Sequence, residues 1–358
     1  MLTTIISFII VLGVLIFFHE FGHYIMAKKA GIKVEEFALG WGPKLISHKK
    51  GETLYSIRII PIGGFCNMAG EFLPGKEEEL EEEEREKYLK AKKEGKCFHQ
   101  KSIWQRFLVI FMGPFMNFLL AAFIFIIIFS VFGLPIDSSQ TTVIGDVTPG
   151  QPAREAGLKP GDEILAINDQ EVDNWQEMAG IIHNSEEQIK VRYQRNDVIN
   201  ETEVKLKYNE EIDANIIGIY PEVIREKVGF LRSIKLGFIQ TGRIIYLTIA
   251  GFIQMISMRS AEGIGGPIMI ASIVGEAAQL GINRLLNWTA VISINLGIIN
   301  LVPIPALDGG RILFLFIELL RGKPIDPEKE SFVHFLGFVL LIILMVFVVY
   351  KDIVRSFF

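Results

Sequence analysis

Long stretches without charged side chains alternate along this chain with stretches dense in Lys and Glu, and this segregation restricts the possible folds more than any other feature. Half of the 358 residues are hydrophobic, while 22% are charged. A chain that folds around one water-soluble core mixes apolar and charged residues at short range, whereas a chain that crosses a bilayer several times collects them into separate blocks. The sequence therefore predicts a polytopic α-helical membrane protein.

Four apolar segments are predicted to be transmembrane helices. A helix rises about 1.5 Å per residue, so that roughly 20 residues cross the hydrocarbon core. The predicted spans are residues 1–27, 107–136, 289–307 with a continuation at 312–320, and 335–350.

A further apolar stretch, residues 230–258, has two interpretations. Arg232, Lys235 and Arg243 interrupt it at helical spacing. That pattern favours an amphipathic helix that lies on the membrane surface or dips into it. The alternative is a fifth span.

The first polar region, residues 28–106, contains two kinds of pattern. Alternating, glycine-punctuated segments at residues 34–45 and 53–68 predict short strands joined by turns. Residues 77–86 follow, where eight of ten residues are Glu, and this charge run predicts a solvated helix.

The second polar region, residues 138–219, predicts a small domain of short strands. Its segment AGLKPGDEILAIN, residues 156–168, combines a helix end, a glycine cap and a strand that ends in a tight turn. This sequence segment resembles the circularly permuted PDZ domain of bacterial proteases. The resemblance implies a groove in which an extended peptide adds to a sheet edge. A spacer domain without a ligand is the alternative.

The segment HEFGH at residues 19–23 has the spacing of a metal site. On a helix, His19 and His23 lie on one face a turn apart, and Glu20 beside them can reach water at a shared metal. In a soluble helix, exposed histidines would explain the pattern equally well. Within a transmembrane helix they do not, because ionisable groups at membrane depth are destabilising unless they are paired or bind a metal.

A third ligand is expected, because a catalytic zinc takes three protein ligands and keeps one position open. Asp308 stands in NLVPIPALDGGR, residues 300–311, within an otherwise apolar stretch where a carboxylate needs a cationic partner. Pro303 and Pro305 break the helix just before it. The alternative is a structural ion pair with Arg311. The remaining histidines, in loops or at the last span, are weaker candidates: His48, His99, His183 and His334.

Composition excludes other classes of site. The chain has two cysteines, Cys66 and Cys97, without CxxC or Cys/His spacing, so neither a disulfide framework nor a cysteine metal site is predicted. The net charge is −5 and no basic patch is interleaved with aromatic residues, so nucleic acid is not an expected partner.

Taken together, HExxH in the first span, NxxPxPxLDGG in a later span and a PDZ domain between them resemble the site-2 protease family, specifically the bacterial RseP-type intramembrane proteases. The resemblance implies that Glu20 is the catalytic base and that one zinc ion is bound by His19, His23 and Asp308. It also implies that residues 40–43 and 60–71 belong to a membrane-reentrant β-hairpin. Residues expected near the substrate are Asn300, Asn295, Gly40, Gly42, Gly63 and Gly64.

The same resemblance implies an organisation and a function. Residues 1–136 form an N-terminal membrane core, residues 138–219 an inserted extracytoplasmic PDZ domain, and residues 220–358 an amphipathic helix with the C-terminal membrane core. The expected activity is zinc-dependent cleavage of single-span membrane proteins, such as anti-sigma factors or signal-peptide remnants, in the bacterial cytoplasmic membrane. The active site faces the cytoplasm, and a site-1 protease cuts the substrate first.

The best-known Gram-negative members carry two PDZ domains, whereas residues 138–219 have room for one. An inactive scaffold that binds partners through its PDZ groove is the first rival, and the intact His19, Glu20, His23 and Asp308 argue against it. An ion transporter is the second rival. It leaves the HExxH spacing unexplained and lacks acidic residues spread over several helices.

Overall fold

The structure is a computed structural model that describes residues 2–71, 82–136, 140–209, 213–223, 225–258 and 266–357. The chain forms two compact units. The helical unit comprises Met1–Phe129 and Gly229–Phe358, and the inserted unit comprises Ser130–Val228. Residues 77–81 of the acidic run lie outside the described residues, and the rest of the run begins a helix at Glu82.

Helices and strands follow one another in a fixed order along the chain. The helices are α1 (Leu2–Lys29), α2 (Glu82–Lys93), α3 (Ile103–Phe132), α4 (Pro152–Glu155), α5 (Trp175–Asn184), α6 (Phe230–Met258), α7 (Pro267–Leu280), α8 (Ile282–Leu301), α9 (Asp308–Arg321) and α10 (Pro327–Phe357). The strands are β1 (Val34–Lys50), β2 (Thr53–Met68), β3 (Leu134–Pro135), β4 (Ile144–Val147), β5 (Glu163–Ile167), β6 (Gln170–Glu171), β7 (Gln188–Arg195), β8 (Val198–Lys205), β9 (Lys207–Asn209), β10 (Ala214–Ile216), β11 (Ile219–Pro221) and β12 (Arg225–Glu226).

Among the described residues, five helices are long and apolar enough to cross a membrane: α1, α3, α6, α8 and α10. The chain is therefore a multi-pass membrane protein. The sequence predicted four of these helices as spans, and for α6 it favoured a helix at the membrane surface with a fifth span as the alternative. The structure makes α6 one helix of 29 residues. Its basic residues all lie in the first half, so an uncharged stretch follows Arg243.

The strands β1 and β2 bend back on themselves, so that their sheet contains more paired segments than a simple two-stranded hairpin. Their register places Leu39 opposite Gly64 and also opposite Ile57. Residues 34–39 thus lie between residues 54–57 and residues 64–68. Within the described part of the chain, residues 64–68 have strand partners on one side only, so they form an edge of this sheet.

This sheet runs back along α1. At the C-terminal end of the helix, Lys28 Nζ donates a hydrogen bond to Glu52 Oε1 at 2.7 Å. Gly64 lies farther along, since a Cβ placed on it would be 2.9 Å from the Ile16 side chain. Ile16 and Lys28 are separated by about 18 Å along the helix axis. The sheet therefore reaches the level of the apolar middle of α1, and its insertion into the membrane stays a prediction.

Glycines let α1, α3 and α8 approach one another closely. A Cβ on Gly22 of α1 would lie 2.2 Å from the Met112 carbonyl oxygen of α3. Likewise, a Cβ on Gly297 of α8 would lie 2.7 Å from the Phe118 ring of α3. Small residues at such crossings are typical of membrane helix packing, where van der Waals contact replaces the hydrophobic effect as the driving force.

The inserted unit has its own core. Its main sheet has the strand order β6-β5-β7-β8, and β4 pairs separately with β11. The strand predicted from DEILAIN is β5, and it ends in a turn at Asn168 and Asp169 whose φ values are 49° and 63°. The buried side chains that these elements share include Ile144, Leu158, Ile164, Ile167, Met178, Ile189 and Val204.

One buried carboxylate organises the turn before β5. Asp162 is 1% exposed and accepts hydrogen bonds from Arg195 Nε at 2.6 Å and Arg195 Nη2 at 2.7 Å. It also accepts the Lys159 backbone N–H at 2.8 Å. This paired charge raises the pKa of Arg195 above its ordinary value.

We expect Asp162→Ala to lower the free energy of unfolding of the inserted unit by about 3 kcal/mol, because it leaves a guanidinium and a backbone N–H without their acceptor. Hydrogen exchange of residues 143–221 in the full chain under increasing denaturant measures this change. The control is Lys190→Ala, which removes an exposed ion pair with Glu201 and should change stability by less than about 1 kcal/mol. Equal effects of the two substitutions would contradict the prediction.

Candidate active site

The HEFGH segment occupies the second half of α1, and its two histidines face the interior of the helical unit. His19 is 9% exposed and His23 is 8% exposed. Their separation of four residues places both imidazoles on the face of α1 that packs on α3. A Cβ on Gly113 of α3 would lie 2.3 Å from His23 Nε2, so this glycine makes room for the ring.

Asp308 reaches the two histidines from the far end of the chain. It is the first residue of α9, after the turn that follows α8. Its Oδ2 lies 3.1 Å from His19 Nε2 and 3.4 Å from His23 Nε2, and the two Nε2 atoms are 3.3 Å apart. The structure thus brings all three predicted ligands together in one triangle of donor atoms.

This triangle has the size of a zinc site. In a tetrahedral site with donors about 2.0–2.1 Å from the ion, neighbouring donors are roughly 3.3 Å apart. The three observed separations fall at 3.1–3.4 Å. Asp308 Oδ2 is buried and receives no hydrogen bond from the described residues, which leaves it available as a ligand. Two imidazoles and a carboxylate also match the donor types that zinc prefers.

A backbone carbonyl orients the ring of His23. His23 Nδ1 lies 2.8 Å from the Val109 carbonyl oxygen on α3. Because a carbonyl oxygen only accepts hydrogen bonds, Nδ1 must be the donor. The proton therefore sits on Nδ1, and the lone pair of Nε2 points to the triangle.

Asn117 stands behind His19 in the same way. It is fully buried, and its amide Nδ2 lies 3.3 Å from His19 Nδ1, while its Oδ1 has no hydrogen-bond partner among the described residues. If the amide oxygen and nitrogen of Asn117 exchange places, Oδ1 accepts a hydrogen bond from His19 Nδ1–H. His19 Nε2 then carries the free lone pair. Ser293 of α8 donates to the Asn117 carbonyl oxygen at 2.8 Å and ties this position to a third helix.

Glu20 lies between the metal triangle and the sheet. It follows His19 on α1, and a Cβ on Gly64 would be 3.3 Å from its Cγ. Gly64 belongs to the sheet edge at residues 64–68. Of the four glycines predicted near the substrate, this one is placed beside the predicted base.

The other three glycines occupy bends of the sheet. The φ values of Gly40, Gly42 and Gly63 are 88°, 84° and 90°, a region that favours glycine. A Cβ on Gly63 would meet the Trp41 indole at 2.0 Å. These positions need glycine to fold the strands, and contact with a substrate remains a prediction for them.

The two predicted asparagines have different surroundings. Asn295 Oδ1 accepts a hydrogen bond from the Thr248 hydroxyl of α6 at 3.2 Å, so it joins two helices. Asn300 lies one residue before the end of α8, and its side chain has no hydrogen bond to the described residues. Asn300 is therefore the asparagine that is free to bind another molecule.

Arg311, the alternative partner of Asp308, pairs with Glu71. The Arg311 Nη1 atom donates to Glu71 Oε1, and the Glu71 side chain is 6% exposed. This ion pair joins the turn that follows β2 to α9. Sequence reasoning missed it, because Glu71 and Arg311 are 240 residues apart and neither belongs to a ligand motif.

A buried triangle of two imidazoles and a carboxylate, in a unit built from membrane-spanning helices, defines a membrane-embedded metal-dependent hydrolase. The model of peptidase family M50 matches residues 7–344. The chain belongs to this family and is a zinc metalloprotease, as the sequence motifs predicted.

Relatives match over almost the whole chain. The zinc metalloprotease RasP of Geobacillus kaustophilus is 38% identical, with 99% of each chain covered. The regulator of sigma-W protease RasP of Bacillus subtilis is 34% identical over 99% of each chain. Among solved structures, the PDZ domain of an SdrC-like protein of Listeria monocytogenes matches 25% of this chain and 93% of its own, with 22% identity and a TM-score of 0.22.

Asn117→Ala is expected to weaken zinc binding by roughly 10–100-fold, because His19 loses the partner that sets its tautomer and ring orientation. Competition with a chelating dye, on the full chain in detergent, measures the affinity. Phe123→Ala is the matched control on the same helix, since Phe123 is 58% exposed. Wild-type affinity in Asn117→Ala would show that Asn117 does not orient His19.

Proposed function

We propose that this chain is an intramembrane endopeptidase that cleaves single-span membrane proteins. One observation carries the proposal: two donors of the triangle, His19 and His23, lie with Glu20 on a membrane-length helix, and a free sheet edge lies against the same segment. A metal site alone would fit many hydrolases. A strand edge beside it offers the means to hold an unfolded stretch of peptide.

His19, His23 and Asp308 hold one zinc ion in this proposal. Bound zinc supplies Lewis-acid chemistry, which polarises a carbonyl group and acidifies water. Glu20 takes up the proton as water attacks the scissile carbonyl, and it later returns a proton to the leaving amine. Val109 and Asn117 keep both imidazoles in the orientation that ligation requires.

The sheet edge at residues 64–68 meets the main physical obstacle to cleavage in a membrane. A helical substrate hides its peptide bonds in internal hydrogen bonds, and their exposure to lipid is costly. Addition of the unwound segment to the sheet edge replaces those hydrogen bonds. Asn300 then holds a substrate backbone group near the metal.

The inserted unit acts as a PDZ domain outside the cytoplasmic membrane of a bacterium, with the active site facing the cytoplasm. There it excludes substrates with bulky outer domains until a site-1 protease has removed them. The name of the Bacillus subtilis relative, regulator of sigma-W protease, supports anti-sigma factors as the substrate class. A single such domain performs this filtering here.

Glu20→Gln is expected to reduce cleavage of a single-span substrate by about 10²–10⁴-fold while zinc remains bound, since the amide keeps the shape of the side chain but accepts no proton. Cleavage in proteoliposomes and zinc content are measured on the same preparation. Glu83→Gln is the control, because the Glu83 side chain is 81% exposed. Full activity of Glu20→Gln would exclude this residue as the base, and absence of cleavage by the wild type would favour the scaffold function.

Substrate sequence provides a second test. Helix-breaking residues around the cleaved bond should accelerate cleavage, because the substrate must unwind before it adds to the sheet edge. Replacement of those residues with Leu and Ala should slow it. Rates are compared for matched substrates with the same enzyme preparation. An unchanged rate in the stiffened substrate would contradict cleavage through local unwinding.

A further inference from the structure

We propose that His334 and Gly337, on one face of α10, hold the turn that precedes Asp308. This helix thereby keeps Asp308 in position to bind the metal. The inference rests on the proposed function, because it assumes that Asp308 is a zinc ligand. His334 acts here through the backbone and is a positioning residue.

The turn before Asp308 has a conformation that needs support. Ala306 has a φ of 77°, in the left-handed region that residues with a Cβ rarely adopt. The chain reverses tightly around it, with Ile304 N bonded to the Val302 carbonyl at 2.7 Å and Leu307 N to the Ile304 carbonyl at 3.2 Å. Such a conformation persists only where its surroundings determine it.

His334 supplies the first support. The Ala306 backbone N–H donates a hydrogen bond to His334 Nδ1 at 2.9 Å. The ring stacks at a tilt on Phe314 of α9, with centroids 5.3 Å apart, and the His334 side chain is 11% exposed. His334 thus accepts a hydrogen bond from the strained residue itself. Its imidazole is held in place by the helix that Asp308 begins.

Gly337 supplies the second support. A Cβ placed on it would lie 2.5 Å from both Cβ and the carbonyl oxygen of Pro305. The backbone of the turn therefore rests directly on α10 at this position. His334 and Gly337 are three residues apart and share one face of the helix. The neighbouring Leu336 and Phe338 are each 50% exposed, so this face is the one that packs inward.

These contacts act two and three residues before the ligand. If they are lost, Ala306 is free to relax to a right-handed or extended conformation, which redirects the chain into α9. Asp308 Oδ2 then leaves its position 3.1 Å from His19 Nε2. A histidine that is not a ligand thereby determines whether the ligand set is complete.

The test is zinc affinity of the full chain in detergent, measured by competition with a chelating dye. His334→Leu should bind zinc roughly 10–100-fold more weakly, the range found when a partner behind a ligand is removed. His334→Asn should retain most of the affinity, because Asn Oδ1 occupies nearly the place of His Nδ1 and accepts the same hydrogen bond. Gly337→Ala should weaken binding independently, and Leu336→Ala is the matched control.

The possible outcomes distinguish an error in the proposed metal site from an error in the proposed role of α10. If His19→Ala binds zinc like the wild type, the proposed metal site itself is wrong. If His19→Ala loses zinc while His334→Leu and Gly337→Ala keep wild-type affinity, only the role of α10 is wrong. Equal losses in His334→Leu and His334→Asn would exclude the hydrogen bond as the cause. Should His334→Leu fail to fold, Gly337→Ala and His334→Asn decide the question.

Discussion

Two imidazoles and a carboxylate that meet among apolar helices form the interaction on which the rest of this structure depends. Ionisable groups at membrane depth destabilise a protein unless each finds a partner. His19, His23 and Asp308 satisfy this condition together, at separations that suit one zinc ion. The helices around them are arranged to bring these groups into contact and to satisfy their remaining polar atoms.

Close packing is the physical means of that arrangement. Glycines at positions 22, 113 and 297 remove the side chains that would keep α1, α3 and α8 apart. Because the helices pack closely, the Val109 carbonyl and the Asn117 amide lie within hydrogen-bond distance of the imidazoles. Larger residues at these crossings would separate the helices and leave the buried histidines without partners. The glycines therefore support the metal site as directly as the polar residues do.

The sequence predicted the features that depend on local residue spacing, on hydropathy and on the destabilising effect of an unpaired charge in an apolar segment. HExxH predicted that His19 and His23 face one site beside Glu20, and the position of Asp308 in an apolar stretch predicted the third side chain that meets them. Hydropathy predicted four spans, and for α6 the three basic residues favoured a surface helix, whereas its length and composition also suit a fifth span. The doubled register of β1 and β2, the Glu71–Arg311 pair and the support of Ala306 by His334 were not predicted. Each joins residues that are distant in the chain and that no periodicity connects.

If the proposed function is correct, the position of the sheet beside α1 determines where a substrate is cut. Glu20 precedes Lys28, the basic end of the helix, by about 12 Å along the axis. Because Lys28 is joined to the sheet through Glu52, the edge at Gly64 is held at a constant distance from that end. In the proposed function, this fixed distance selects the bond to be cut by its depth below the membrane surface and leaves the choice of side chains less restricted.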